Sequence, residues 1–111
     1  MPPELDLLSV DTDCFDWWLL RKLFHSGYRP RAVVTEVNSH ATMAPPSARV
    51  VSPDDRTYSY CSTADAAKPD SGLDTWFGGS VSAFWELYRR FNYSMVYCEV
   101  QGVNCYTILS R

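Results

Sequence analysis

Two short polar clusters carry the residue types that metal or acid–base chemistry needs. Asp11, Asp13 and Asp16 form the first, and Glu36, Asn38 and His40 form the second. Carboxylates gathered at one edge can hold a hard divalent cation through oxygen ligands. One of them can equally serve as a general base. Each residue also has a purely structural reading. Asp13 suits a helix N-cap and Asp16 the first helical turn. Glu36 can pair with Arg29 or Arg31, and His40 suits a surface loop. His25 fits the negative end of a helix dipole. Glu36 is the hardest to explain structurally, because an unpartnered carboxylate inside an apolar strand is costly.

These clusters need elements to position them. Glu4 to Val10 ends in the apolar run Leu7-Leu8-Ser9-Val10 and then meets Asp11-Thr12-Asp13. That pattern suits a buried parallel strand reaching its carboxyl edge. Phe15 to Ser26 reads as a helix, with Trp17, Leu20 and Phe24 on one face, Leu19 and Leu23 widening it, and Gly27 as its stop. Arg31 to Val37 is β-branched and reads as a second strand. Strand, helix, short loop and strand make a βαβ unit, which places both polar clusters at the carboxyl ends of adjacent parallel strands, roughly 5 Å apart.

Residues 39–75 contain Pro45, Pro46, Pro53 and Pro69 and sustain no period. They are expected to form a long loop or lid within a single domain spanning residues 1–111, with Arg49-Val50-Val51 and Thr57 to Tyr60 as short extended pieces. Ser80 to Phe91 reads as a second helix, capped by Ser80 and presenting Val81, Phe84, Trp85 and Tyr88. The stripe of Trp17, Trp18, Trp85 and Tyr88 reads as core. Ser94 to Val100 and Val103 to Leu109 form a hairpin around Gln101-Gly102. The order is β-α-β-long loop-α-β-β.

Composition narrows the function classes. The 111 residues are 46% hydrophobic and 14% aromatic with net charge −3, which is globular rather than disordered. The scattered basic residues argue against nucleic acid and against an anionic membrane surface. No secretion signal opens the chain, and its apolar runs are too short to cross a bilayer. A soluble, cytoplasmic protein is therefore expected. Cys14, Cys61, Cys98 and Cys105 are then expected as reduced thiols. Asp-x-Asp also occurs in haloacid-dehalogenase-type phosphatases and in glycosyltransferases. Cys14-Phe15 replaces the Gly-Thr of the former, and the latter fold needs a longer chain.

Taken in order, several segments resemble the C-terminal half of FkbM-like methyltransferases, a branch of the class I, Rossmann-like family. They are Ser9 to Trp18, Gly27 to Asn38, Pro45-Pro46, Phe77-Gly78-Gly79-Ser80 and Gly102-Val103-Asn104. The resemblance implies an α/β fold with a mostly parallel sheet of about four strands, similar to the fourth to seventh strands of that fold and ending in an antiparallel hairpin. It implies that Asp11 and Asp13 lie near the donor or acceptor pocket, with Glu36 and Asn38 on the neighbouring strand.

On this reading Asp11, Asp13 and Glu36 are the catalytic candidates and Asp11 and Asp16 the cofactor-binding ones. Asn38 and His40 would meet a small-molecule or sugar hydroxyl, and Asp11, Asp13, Glu36 and Asn38 would ligate a divalent metal. Cys14 and Phe15 depart from the family pattern, which prefers glycine and a small polar residue there. No glycine-rich strand-to-helix turn precedes the first strand, so S-adenosylmethionine is expected only if an upstream half supplies its site. The alternatives are a non-catalytic module that pairs through an exposed sheet edge, as a dimer or with a partner, and a metal-dependent hydrolase built on the acidic cluster.

Overall fold

The computed structural model describes residues 2–12, 14–39, 48–51, 78–99 and 103–110. Six elements follow in chain order: β1 (Leu7–Val10), α1 (Asp16–His25), β2 (Ala32–Glu36), α2 (Val81–Arg90), β3 (Tyr93–Cys98) and β4 (Asn104–Leu109). Both helices start and stop within a residue of the expected positions. Gly27, at φ 90°, ends α1, a conformation that side-chain-bearing residues resist. The Ser80 hydroxyl caps α2 by accepting from the Ala83 N–H at 3.2 Å.

The sheet corrects the expected fold class. Its strand order is β1-β2-β4-β3, and only β1 and β2 pair in parallel; β2–β4 and β4–β3 are antiparallel. It is a mixed four-stranded sheet with two helices, not a mostly parallel Rossmann-like one. The physical reason lies in the last strand. β4 runs antiparallel to β3 and inserts between β2 and β3, so its two antiparallel pairings outnumber the single parallel one.

Register assigns the faces. The rows Leu8–Val33–Thr107–Met95 and Val10–Thr35–Cys105–Cys98 point the same way, since side chains alternate along a strand. Leu20 and Phe24 of α1 and Phe84, Leu87 and Tyr88 of α2 close the core over Val10, Val33, Cys105 and Tyr93. Phe24 stacks on Tyr93 at 5.0 Å between ring centroids. The Tyr88 hydroxyl bonds Thr35 Oγ1 at 2.9 Å beneath the helices, and the Tyr93 hydroxyl donates to the Pro30 carbonyl at 2.7 Å. Burial raises the pKa of both phenols, that of Tyr93 to about 12.

Two core expectations change. Leu87 replaces Trp85 on the buried face of α2, and Trp85 is 49% exposed beneath the Arg89 guanidinium. Leu19 is exposed rather than widening the buried face of α1. Trp17 and Trp18 are partly buried, and their indole N–H groups donate to the Ala83 and Val51 carbonyls at 3.0 and 2.8 Å. Of residues 39–75 only 39 and 48–51 are described, and the expected extended piece from Thr57 to Tyr60 lies outside the described residues. The expected extended piece at Arg49-Val50-Val51 is there: Val50 bridges Gly79, and the Val51 N–H donates to Gly78.

The cysteines overturn the reduced-thiol expectation. Cys98 and Cys105 face one another across β3 and β4 and form a disulfide, with Cα atoms 4.0 Å apart. The Glu99 N–H donates to the Asn104 carbonyl, so 98/105 is the closer, non-hydrogen-bonded kind of pair. Cys14 is also disulfide-bonded. Among the described residues no helix is long and apolar enough to cross a membrane.

Candidate functional site

The βαβ unit brings part of each polar cluster together. The parallel register aligns Val10 with Thr35, so the next residue of each chain, Asp11 and Glu36, emerges at the same edge. Asp16, the first residue of α1, turns back towards them. One carboxylate oxygen from each of Asp11, Asp16 and Glu36 lies within 4.8 Å of the others. Asp11 is exposed, Glu36 half-buried and Asp16 buried.

Asp16 has a local structural role as well. Its Oδ1 accepts from the Thr12 N–H at 2.8 Å and from the Thr12 hydroxyl, which pins the turn after β1. The helix N-cap position is Phe15, which makes no side-chain cap bond. Asp13, the expected cap and a candidate ligand, lies outside the described residues, as does His40.

Asn38 is buried just beyond β2 and bridges Ser80, with its N–H on the Gly79 carbonyl at 2.8 Å. It therefore ties β2 to the entry of α2. Neither arginine expected to neutralise Glu36 is committed to it. Arg29 bonds the Phe24 and Tyr28 carbonyls and lies over Phe91, and Arg31 pairs with Asp6 at 3.1 Å.

The spacing suits a cation of a particular size. Two oxygens on one ion are separated by at most twice the metal–oxygen distance, about 4.2 Å for magnesium and about 4.6–5.2 Å for calcium. Carboxylate oxygens within 4.8 Å of one another lie within the reach of a calcium ion. A separate cleft beside α1 and α2 is lined by Trp17, Arg21, Glu86 and Arg90 and includes none of the three acids.

Sequence reasoning missed the buried polar pair of Thr35 and Thr107 beneath Tyr88. Thr107 Oγ1 is buried without a hydrogen bond of ordinary geometry. Alternation at β2 and β4 marks both positions as inward, but nothing in their residue type says which hydroxyl finds a partner.

Neither a family model, nor a curated protein, nor a solved structure matches this chain.

Proposed function

We propose that the chain is the acceptor-side portion of a methyltransferase-like domain, in which Asp11, Asp16 and Glu36 hold a divalent cation that orients a small-molecule or sugar hydroxyl. The observation that carries this reading is the convergence of three carboxylates within 4.8 Å where two parallel strands end. The carboxyl ends of parallel strands are where such sheets take ligands. The ordered resemblance of the segments supports it. A bound cation would lower the pKa of an acceptor hydroxyl and fix its direction.

The methyl donor is a different matter. Its binding needs close backbone approach at a glycine-rich turn after the first strand of that fold, whereas β1 here resembles the fourth strand and runs into Asp11-Thr12-Asp13-Cys14-Phe15. These residues do not fit S-adenosylmethionine, and no transfer step is derived for them. Donor binding belongs to an upstream half, where one is supplied.

The test is calorimetric titration of the oxidised protein with calcium, manganese and magnesium. Saturable binding, tighter for calcium than magnesium and lost in Glu36→Gln, is the expected result. Silence with all three ions removes the proposal. A second reading, an interaction module, is favoured by β1, which among the described residues is a terminal strand of the sheet with β2 as its one neighbour. Such edges invite pairing with another chain. For compartment, the disulfides weigh towards oxidising surroundings and against the cytoplasm expected from the sequence.

A further inference from the structure

Both helices are committed to one face of the sheet. The opposite face carries the rows Leu7–Ala32–Ile108–Ser94 and Ser9–Val34–Tyr106–Tyr97. An antiparallel sheet whose second face meets water normally makes that face polar. Here Leu7 is 60%, Tyr97 56%, Ile108 47% and Tyr106 36% exposed. The two tyrosine rings pack together at 5.8 Å between centroids, which presents one continuous apolar band.

We propose that this face packs against the same face of a second copy of the chain, giving a two-fold symmetric sheet-on-sheet dimer. Size supports that occupant. Four strands about 4.8 Å apart and about five residues long give a footprint of roughly 300 Å². Side-chain relief about doubles that in accessible surface, so two copies would bury roughly 1,200 Å² in total, the lower end of a stable interface. Stacked sheets lie about 10 Å apart with strands about 30° from aligned.

Charge selects the orientation. Glu36, Asn104 and Glu99 close the band at one end, where Tyr106 donates to Glu99 at 3.1 Å. Arg31 and Asp6, both strongly exposed, close the other end. A two-fold axis running across the strands sets Arg31 of each copy over the acidic end of its mate. An axis along the strands would stack acid on acid. Isologous contacts of this kind are self-complementary and close at two.

The test is light scattering and sedimentation equilibrium on the full oxidised chain. The expected species has twice the 12.7 kDa chain mass. Tyr106→Asp with Ile108→Asp, both at exposed positions, should return it to a single chain with an unchanged far-UV spectrum, each anchor costing at least about 30-fold in affinity. Arg31→Glu alone should weaken the dimer, and adding Glu36→Arg, the acid that this axis sets opposite Arg31, should restore it. This charge swap decides the matter if the aspartates disturb folding. A parent that stays monomeric overturns the proposal. So does a dimer that survives both kinds of variant, since it would have to form elsewhere, for instance along β1.

Discussion

Removing the Cys98–Cys105 disulfide perturbs a bond whose position in the sheet is known on both sides. The two residues are separated by seven positions and close a small ring at the end of β3 and β4 where the chain passes from one strand to the other. Loop-closure entropy for a ring that small stabilises the folded state by about 2.4 kcal/mol. For a chain of this length that corresponds to about 10 °C in melting temperature. The bond also sits on the core face, where Cys105 is fully buried, so the replacement must bring in no polar group. Cys98→Ala with Cys105→Ala removes the sulfurs without adding a buried hydroxyl.

The assay is thermal unfolding followed by circular dichroism, with thiol titration of the denatured parent as control. The parent should show no titratable thiol at Cys98 or Cys105, and the double variant should melt about 10 °C lower. Because the ring is local, the loss should concentrate in faster amide exchange at β3 and β4, with β1 and α1 much less affected. A variant that melts with the parent would refute the reasoning. Free thiols at Cys98 and Cys105 in protein made under oxidising conditions would also refute it, since the two side chains would then not share a cross-strand pair.

Two further predictions come from the phenols and hydroxyls of the core. Tyr88→Phe breaks the bond to Thr35 and should cost about 1–2 kcal/mol in denaturant unfolding, whereas Thr107→Val replaces an unsatisfied buried hydroxyl and should be neutral or stabilising. Because Tyr93 keeps its proton to about 12 in the folded state but only to about 10 when unfolded, stability is full below pH about 10. It is lost as pH rises from there through 12. Tyrosinate absorbance that appears well before unfolding, and involves Tyr93, would contradict that order.

How much of this was legible in the sequence depends on the range of the interaction. Both helices were readable because an amphipathic face is set by residues three and four apart. The error at Trp85 has a local cause: ranking by hydrophobicity favours tryptophan, but the Arg89 guanidinium over its ring at 5.1 Å makes an exposed site tolerable. The insertion of β4 between β2 and β3 was not legible, because a non-local pairing leaves no trace in either strand's own pattern. The disulfide was closer to hand. A hairpin centred on Gln101-Gly102 places 98 opposite 105, and it was the assumption of a reducing compartment that hid the pairing. At the acidic edge, the approach of Asp11 to Glu36 follows from the βαβ unit alone. The recruitment of Asp16 depends on the Thr12 contacts, which no spacing rule predicts.

The acidic edge has two explanations, and stability separates them. As a helix start, Asp16 is satisfied by Thr12, and Asp11 and Glu36 are then neighbouring like charges with no shared ligand. As a cation site, the repulsion among the three is what the ion relieves. Both accounts use Glu36→Gln, which keeps the volume and removes one charge, as the test variant. They part on adding calcium. Ion at about 100 times its dissociation constant raises stability by about 2.7 kcal/mol if it binds only the folded chain, and Glu36→Gln should lose that increment. The parent should therefore gain melting temperature on adding calcium, and the variant should not. A calcium response equal in both proteins would place any binding elsewhere on the surface. A parent indifferent to calcium would leave Asp16 as a turn-pinning residue and the other two acids as its neighbours.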